Sequence, residues 1–297
     1  MNFEIWGLTG SLTTERDAQM REATSRLWHW IDAVDASCNR FRGDSELSRI
    51  NQSRGATNAV SPTLELAIEA ALRAADVTDN LVDPTVLPAL IALGYDRDYD
   101  ELITDGAVTA LDAVPAPGPT AIHLDRDEHT VTLDPSCQLD LGASAKALVA
   151  DLVADDVAPS GGVVVELGGD VAVRGEGPDG PWTIGVSDSL LVAGNEPRVA
   201  FRHGGIATSS TTSRTWQVGG RTVNHIVDPR TGTCAQGLYT TATVSASDCV
   251  LANAFATAAL LWDGEAGYHI AQAGWSARLV RRDGSVEFVG GWPEESR

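Results

Sequence analysis

A histidine at the end of a predicted strand is the first candidate for chemistry. His225 begins the segment His-Ile-Val-Asp-Pro-Arg-Thr-Gly, which ends at Gly232 and follows a strand predicted over 221–226. The turn is rich in Asp, Pro and Gly, so the imidazole could lie at the mouth of a site and act as a general base. A structural turn with a hydrogen-bonded histidine is the alternative. The segment from Ala207 to Arg214 adds clustered hydroxyl groups and an arginine, which suit phosphate contacts.

Two side-chain oxygens on one helix face are the second candidate. Asn253 and Thr257 are four residues apart in a helix predicted over 248–262, so both lie on the same face among small apolar residues. Buried oxygens need partners, which a hard cation or a hydrogen-bonded pair would supply. The histidines and cysteines are scattered and show no zinc spacing, so any metal here should be a hard cation on oxygen ligands.

Two glycine-containing turns form the third group. The segment from Asp140 to Lys146 leads into a helix predicted over 142–156, and a helix start with a nearby lysine favours an anion. Gly168, Gly169 and Asp170 follow a buried strand, where glycines permit close approach of the backbone to a ligand. The structural alternatives are a strand-to-helix turn for the first segment, and a β-bulge or hairpin turn for the second.

The elements that must position these residues indicate an α+β fold. Helices are predicted mainly in the first half: one capped by Thr14, one entered at Asp44 or Ser45, and one opened by Pro62. Strands dominate the second half, with the serine-rich segment 207–214 as a loop, and 96–119 is predicted as a surface excursion. The chain lacks βαβ alternation and an early Gly-x-Gly-x-x-Gly, which argues against a dinucleotide-binding sheet. We therefore predict mixed or antiparallel sheets with packed helices.

Composition limits the partners. Among 297 residues, 21 are Lys or Arg and 41 are Asp or Glu, which gives a net charge of −20. Nucleic acid and anionic membranes need a basic face, so both are excluded as expected partners. Lys146 is the only lysine among the basic residues. Residues 1–30 show no signal peptide or lipobox and no apolar run is long enough for a membrane span, so we expect a cytoplasmic protein, or an exported one if a leader was removed.

Taken together and in this order, the segments resemble the FAD:protein FMN transferases, or ApbE-type flavin transferases. The resemblance covers about residues 38–262 and includes RFRGDSELSRIN, VDPTVLPALIALGYD, LDLGASAKALVAD, VVELGGDVAVRG, HIVDPRTG and LANAFATAALLW. It implies an enzyme that binds FAD and Mg²⁺, cleaves the FAD pyrophosphate, transfers FMN to a threonine hydroxyl of an acceptor flavoprotein and releases AMP. It also implies one ApbE-like domain over 1–297, which two packed lobes with the FAD site between them could form.

The resemblance assigns roles to particular residues. His225 is the implied base that deprotonates the acceptor threonine. Mg²⁺ would be held by the backbone carbonyl of Ala143 and the side chains of Asn253 and Thr257. The implied contacts with FAD are made by Phe41, Ser45, Asp83, Pro84, Thr85, Asp140, Lys146, Gly168, Gly169 and Ile226.

Three positions depart from the family pattern. Asn253 stands where an aspartate is usual, so Mg²⁺ affinity should fall or depend more on the FAD phosphates, because an amide oxygen carries no charge. Ser210 replaces a glycine, and Asn224 replaces a residue that is often histidine. Two alternatives stay open: an FAD pyrophosphatase that gives FMN and AMP, and a non-catalytic FAD-binding protein.

Overall fold

A computed structural model describes residues 1–102, 112–186, 196–293 and 295. Part of the predicted surface excursion, residues 103–111, lies outside this description. The helices are α1 Met20–Cys38, α2 Glu46–Asn51, α3 Pro62–Val77, α4 Leu87–Ala92, α5 Ala145–Val157, α6 Cys249–Trp262 and α7 Ala266–Gln272. The strands are β1 Asn2–Ile5, β2 Leu8–Thr14, β3 Asn58–Ala59, β4 Ile122–Asp125, β5 Thr130–Leu133, β6 Val163–Leu167, β7 Asp170–Arg174, β8 Trp182–Gly185, β9 Arg198–Phe201, β10 Gly204–Ser210, β11 Thr215–Val218, β12 Arg221–Asn224, β13 Val227–Asp228, β14 Thr233–Cys234, β15 Tyr239–Ala246, β16 Ser276–Arg281 and β17 Val286–Val289.

The chain divides into two compact units. The first unit comprises Met1–Trp30, Lys146–Ser213 and Gln236–Arg297, and the second comprises Ile31–Ala145 and Arg214–Ala235. Each unit has its own sheets and its own buried apolar cluster. Within the described ranges, no helix has the length and apolar character that a membrane crossing requires.

The first unit is built on one antiparallel sheet. Its eight strands lie in the order β1-β2-β6-β7-β10-β15-β16-β17, and each neighbouring pair is antiparallel. Helix α6 packs against β10 and β15. Its sequence is almost entirely small or apolar, and twelve of its residues are buried, so the few polar side chains that it carries need partners inside the protein.

The second unit combines α2, α3 and α4 with short antiparallel pairs. Strands β3, β5 and β4 form a three-stranded sheet, and β11–β12 and β13–β14 form two hairpins. The hydroxyl of Ser61 caps α3 by accepting from the Leu64 N–H at 3.2 Å, and Pro62 occupies the first helical turn. The antiparallel sheets and packed helices of both units confirm the predicted α+β class.

Two local predictions were wrong. Thr14 does not cap a helix: it ends β2, where it pairs with Val163 of β6, and a short 3₁₀ turn at Asp17–Gln19 precedes α1. The serine-rich segment is not all loop, because Gly204–Ser210 is β10, a central strand between β7 and β15. Long-range pairing with two strands outweighs the turn preference of its Ser and Thr residues.

Candidate functional site

A polar cluster in the first unit joins α5, β7 and α6. The Asn253 Nδ2 donates to Asp170 Oδ1 at 2.8 Å, and Lys146 Nζ lies 3.5 Å from Asp170 Oδ2. Asp170 is 2% exposed and Asn253 is 7% exposed. The structure therefore brings two predicted site residues, Lys146 and Asn253, onto one buried carboxylate, which the sequence indicated only as part of the glycine turn.

The two glycines place this carboxylate. Gly168 and Gly169 have φ angles of 62° and 94° and form the turn between β6 and β7, with Leu167 and Asp170 as the closing pair. A Cβ on Gly168 would lie 2.6 Å from the Leu8 side chain, so both conformation and space favour glycine there. The hairpin turn, one of the two structural alternatives, is what the segment forms. A contact of Gly168 or Gly169 with FAD stays a prediction.

Thr257, the second predicted metal ligand on α6, lies one turn after Asn253. Its hydroxyl shares a hydrogen bond with Ser209 of β10 at 2.9 Å. The amide and hydroxyl oxygens are hard donors of the kind that Mg²⁺ accepts, and the amide oxygen of Asn253 lies on the edge away from Asp170. Over the ranges that the structure describes, no three His, Cys, Asp or Glu side chains are grouped to hold a metal. The donor chemistry on α6 thus fits a hard cation and not a thiolate or imidazole site.

Buried charges fix the start of α6. The Asp151 carboxylate of α5 accepts backbone N–H groups from Cys249 and Val250, each at 3.0 Å. Arg174 of β7 donates to the same carboxylate at 3.0 Å and to Asp155 at 2.6 Å. Burial raises the pKa of Asp151, and the two N–H groups and Arg174 offset part of that rise. An anion at a helix N-terminus is stabilising, so this contact stabilises the start of α6.

In the second unit, one amide fixes the backbone around His225. Asn224 is 7% exposed; its Nδ2 donates to the Ala235 carbonyl at 3.0 Å, and its Oδ1 accepts from the Ile226 N–H at 3.0 Å. Ala235 N–H also donates to the Ile226 carbonyl at 2.7 Å. His225 is half-buried and lies between β12 and β13. These hydrogen bonds hold its two neighbours along the chain, Asn224 and Ile226, in place.

The rest of the motif forms a tight turn around Asp228. Its side chain accepts from the Arg230 backbone N–H at 2.9 Å and pairs with the Arg230 guanidinium at 2.7 Å. Burial raises the pKa of Asp228, but the hydrogen bonds and charge of Arg230 outweigh it and leave the pKa below its usual value. Gly232, at φ 70°, donates its N–H to the Asp228 carbonyl at 2.8 Å. Asp228 and Gly232 therefore have local structural roles.

Replacing Asn224 by alanine should destabilise this turn. The Ile226 N–H and the Ala235 carbonyl would each lose a buried partner, at a cost of about 1–3 kcal/mol for each group left unsatisfied. Denaturant unfolding of the variant measures the loss. Asn58→Ala is the matched control, because that amide donates to a carbonyl at an exposed site and should matter little. Equal stability of the two variants would contradict the role assigned to Asn224.

Arg40 pairs with Asp140 and lies over two aromatic rings. Arg40 Nε lies 2.6 Å from Asp140 Oδ2, and both side chains are nearly buried. The Arg40 Cζ lies 4.0 Å from the centroid of the Phe41 ring and 4.6 Å from that of the Tyr95 ring. The Tyr95 ring in turn packs against Trp216, with 5.3 Å between the ring centroids. In the described part of the chain, the buried Arg40 Nη2 has no hydrogen-bond partner. Two predicted FAD residues, Phe41 and Asp140, therefore meet on Arg40.

The remaining predicted residues have structural contacts of their own. Asp83 Oδ1 accepts from the N–H and hydroxyl of Thr85 at 2.8 and 2.7 Å; burial raises the pKa of Asp83, and these bonds offset part of the rise. The Pro84 carbonyl accepts from the Asp140 N–H at 2.8 Å. Ser45 is 0% exposed and caps α2. Their contacts with FAD, and those of Ile226 and of the exposed Ala143 with cofactor or metal, stay predictions.

The sequence analysis did not single out two members of these clusters, Arg40 and Tyr95. Arg40 carried a signal, because it precedes Phe41 in the RFRGD segment, whereas the contact of Tyr95 with Arg40 joins residues far apart along the chain. Asp170 and Ser209 lie in segments that the sequence analysis did select, the glycine turn and the hydroxyl-rich segment, but their partners on α6 are visible only in the structure.

Comparisons of the sequence with known proteins point to one family. The model of the ApbE family matches residues 7–279. An FAD:protein FMN transferase of Vibrio cholerae is 30% identical over 253 residues, which cover 82% of this chain and 74% of that protein. One of Rhodobacter capsulatus is 31% identical over 279 residues, which cover 91% of this chain and 52% of that protein.

Solved structures share the fold. The ApbE protein of Thermotoga maritima superposes with a TM-score of 0.80 at 23% identity, covering 97% of this chain and 96% of that one. The flavin transferase ApbE of Vibrio cholerae gives 0.76 at 22% identity, with 97% and 95% covered. The predicted ApbE-like α+β fold is thereby confirmed. Since the family model spans nearly the whole chain and the fold agrees, the chain belongs to the ApbE family.

Proposed function

We propose that this chain transfers FMN from FAD to a threonine hydroxyl of an acceptor flavoprotein, with Mg²⁺, and releases AMP. That the chain is a transferase, with FAD as donor and a protein as acceptor, follows from family membership and from the names of its relatives. The observation that carries the finer proposal is the position of His225, the motif histidine. The preceding residue, Asn224, forms hydrogen bonds with the backbone of Ile226 and of Ala235 and so holds the backbone around His225.

The proposed reaction is a phosphoryl transfer. The threonine hydroxyl attacks the FMN phosphorus, its proton passes to the His225 imidazole, and the bridging P–O bond breaks so that AMP leaves with the oxygen. Such reactions depend mainly on positioning and on charge neutralisation. General-base catalysis contributes typically about 100- to 10,000-fold.

Lys146 is the cation that we propose for the FAD pyrophosphate. Asn253 Oδ1, Thr257 Oγ1 and the Ala143 carbonyl are the proposed metal ligands. Mg²⁺, when bound, supplies charge neutralisation at the pyrophosphate. Lys146 is 23% exposed while its partner Asp170 is buried, so the ammonium can reach a ligand while it stays paired with the carboxylate. In the second unit, Arg40 holds Asp140 and is proposed to orient it toward FAD.

A transfer assay separates the proposal from its alternatives. The protein is incubated with FAD, MgCl₂ and an acceptor flavoprotein, and covalent flavin is detected by in-gel fluorescence and by the FMN mass on a threonine. AMP release without any acceptor would instead indicate an FAD pyrophosphatase. Bound FAD without AMP under every metal condition would indicate a binding protein, and either result in place of transfer overturns the proposal.

Lys146→Arg should weaken FAD binding or turnover although it conserves charge. A planar guanidinium can pair with Asp170 through two donors, which would draw the cation away from the ligand. The expected loss is roughly 2- to 10-fold, the equivalent of one hydrogen bond. Flavin fluorescence titration and AMP release measure it. The control is Arg202→Lys, since Arg202 forms an exposed ion pair with Glu176. Unchanged FAD affinity and turnover would refute a specific role for the lysine.

A further inference from the structure

The Asn253 side chain can present its oxygen in only one direction. An ionised carboxylate accepts hydrogen bonds and cannot donate them, so the amide must direct its Nδ2 toward Asp170. Lys146 Nζ lies 3.5 Å from Asp170 Oδ2, the carboxylate oxygen that does not accept from Asn253. The Oδ1 of Asn253 then lies on the opposite edge of the amide. A 180° flip would bring that oxygen against the carboxylate and is therefore unfavourable.

Both ends of this hydrogen bond are anchored. The backbone of Asp170 pairs with Leu167 across the Gly168–Gly169 turn and with Ala207 of β10. Asn253 lies in α6, whose first N–H groups are held by Asp151. Burial excludes water that could compete for the amide, because Asp170 and Asn253 are both almost fully buried.

We propose that Asp170 is a positioning residue that holds Asn253 Oδ1 in place as a ligand for a hard divalent cation. The inference rests on the proposed function, in which Asn253 is a metal ligand. In this arrangement the negative charge stays at position 170 and the ligand oxygen at position 253. Hydrogen-bond partners behind a ligand orient it, and their loss typically costs about 10- to 100-fold in metal affinity.

This arrangement predicts that the two residues can be exchanged. In Asp170→Asn/Asn253→Asp the amide at 170 donates to the carboxylate at 253, so the hydrogen bond and the net charge are both conserved. The second carboxylate oxygen then occupies the ligand position. In Asp170→Asn alone, two amides face each other and either edge of Asn253 can point toward the metal position.

Mn²⁺ binding to the full-length, FAD-saturated protein tests the proposal, with free Mn²⁺ followed by electron paramagnetic resonance. We expect Asp170→Asn to lose about 10- to 100-fold in affinity and the exchange variant to recover most of that loss. Asp134→Asn, an exposed carboxylate, is the control and should bind as the wild type does. Wild-type affinity in Asp170→Asn, or an exchange variant as weak as Asp170→Asn, would overturn the proposal.

Two further variants keep the test informative. Asn253→Ala should lose Mn²⁺ binding; if it binds normally, Asn253 is no ligand, and both the inference and the metal part of the proposed function fail. If Asp170→Asn does not fold, the exchange variant is compared with Asn253→Ala instead, and equal affinities overturn the proposal.

Asn253→Asp alone places two carboxylates at hydrogen-bond distance, so its thermal midpoint should fall without Mn²⁺ and rise more than that of the wild type with Mn²⁺. A midpoint unchanged and insensitive to Mn²⁺ would contradict the contact. Failure of flavin transfer with Mn²⁺ binding intact would count against the proposed function alone.

Discussion

Replacing His225 by alanine is expected to reduce FMN transfer by about 100- to 10,000-fold, which is the usual contribution of a general base. FAD binding should stay close to that of the wild type, because the removed imidazole is proposed to act on the acceptor hydroxyl. Asn224 and Asp228 keep their hydrogen bonds in this variant, so the turn should keep its shape. The rate of covalent flavin formation and the FAD dissociation constant are measured on the same preparation.

Two controls make this result specific. His225→Gln keeps a polar side chain without basicity and should be nearly as slow as His225→Ala. His123→Ala removes an exposed histidine, whose side chain is 62% accessible, and should transfer at the wild-type rate. Wild-type transfer by His225→Ala would exclude the imidazole as the base. Loss of FAD binding together with transfer would instead assign His225 to the binding of FAD.

Replacing Arg174 by leucine is expected to cost about 3–5 kcal/mol of unfolding free energy, as found when one partner of a buried ion pair is removed. The Asp151 carboxylate would stay buried at the start of α6 and lose its guanidinium partner. Denaturant unfolding measures the change. Arg202→Leu is the matched control, because its ion pair with Glu176 is exposed and should contribute at most about 1 kcal/mol.

The pH dependence of stability and a double variant test whether the unpaired Asp151 charge causes this loss of stability. Burial already raises the pKa of Asp151, and loss of Arg174 should raise it further. In the variant the folded state then binds more protons than the unfolded chain, so its stability should improve as the pH falls from the raised pKa toward the ordinary aspartate value. Arg174→Leu/Asp151→Asn should be more stable than Arg174→Leu at neutral pH, since the unpaired charge is gone. A pH-independent deficit, or a double variant less stable still, would point to lost packing rather than to an unpaired charge.

Local sequence signals predicted several elements of the site correctly. Ser45 caps α2 and Pro62 opens α3, as the sequence predicts. Asn253 and Thr257 lie on one buried helix, because a spacing of four follows from helical geometry alone. Such signals succeed where both partners lie within a turn or two of the same chain segment.

Position 14 and the serine-rich segment show where local signals fail. Thr14 looks like a helix cap, yet its backbone pairs with Val163. The run from Gly204 to Ser210 reads as a loop, yet it is a strand in the middle of the large sheet. In both cases hydrogen bonds to a distant strand override the local preference. No neighbouring residue in the sequence indicates that this distant strand will pair there.

The sequence by itself determined the α+β class, the family resemblance and most of the residues that we place in the reaction. Only the tertiary structure decided what those residues contact. Asp170 and Asn253 are 83 residues apart, and they meet because helix α6 packs against β7, the strand that begins at Asp170. Asp140 likewise meets Arg40 only in the folded second unit. The periodicity of the sequence predicts which face of a helix or strand a residue occupies. The partner on the facing element depends on packing between distant segments. That partner determines the direction of the side chain and the charge around it.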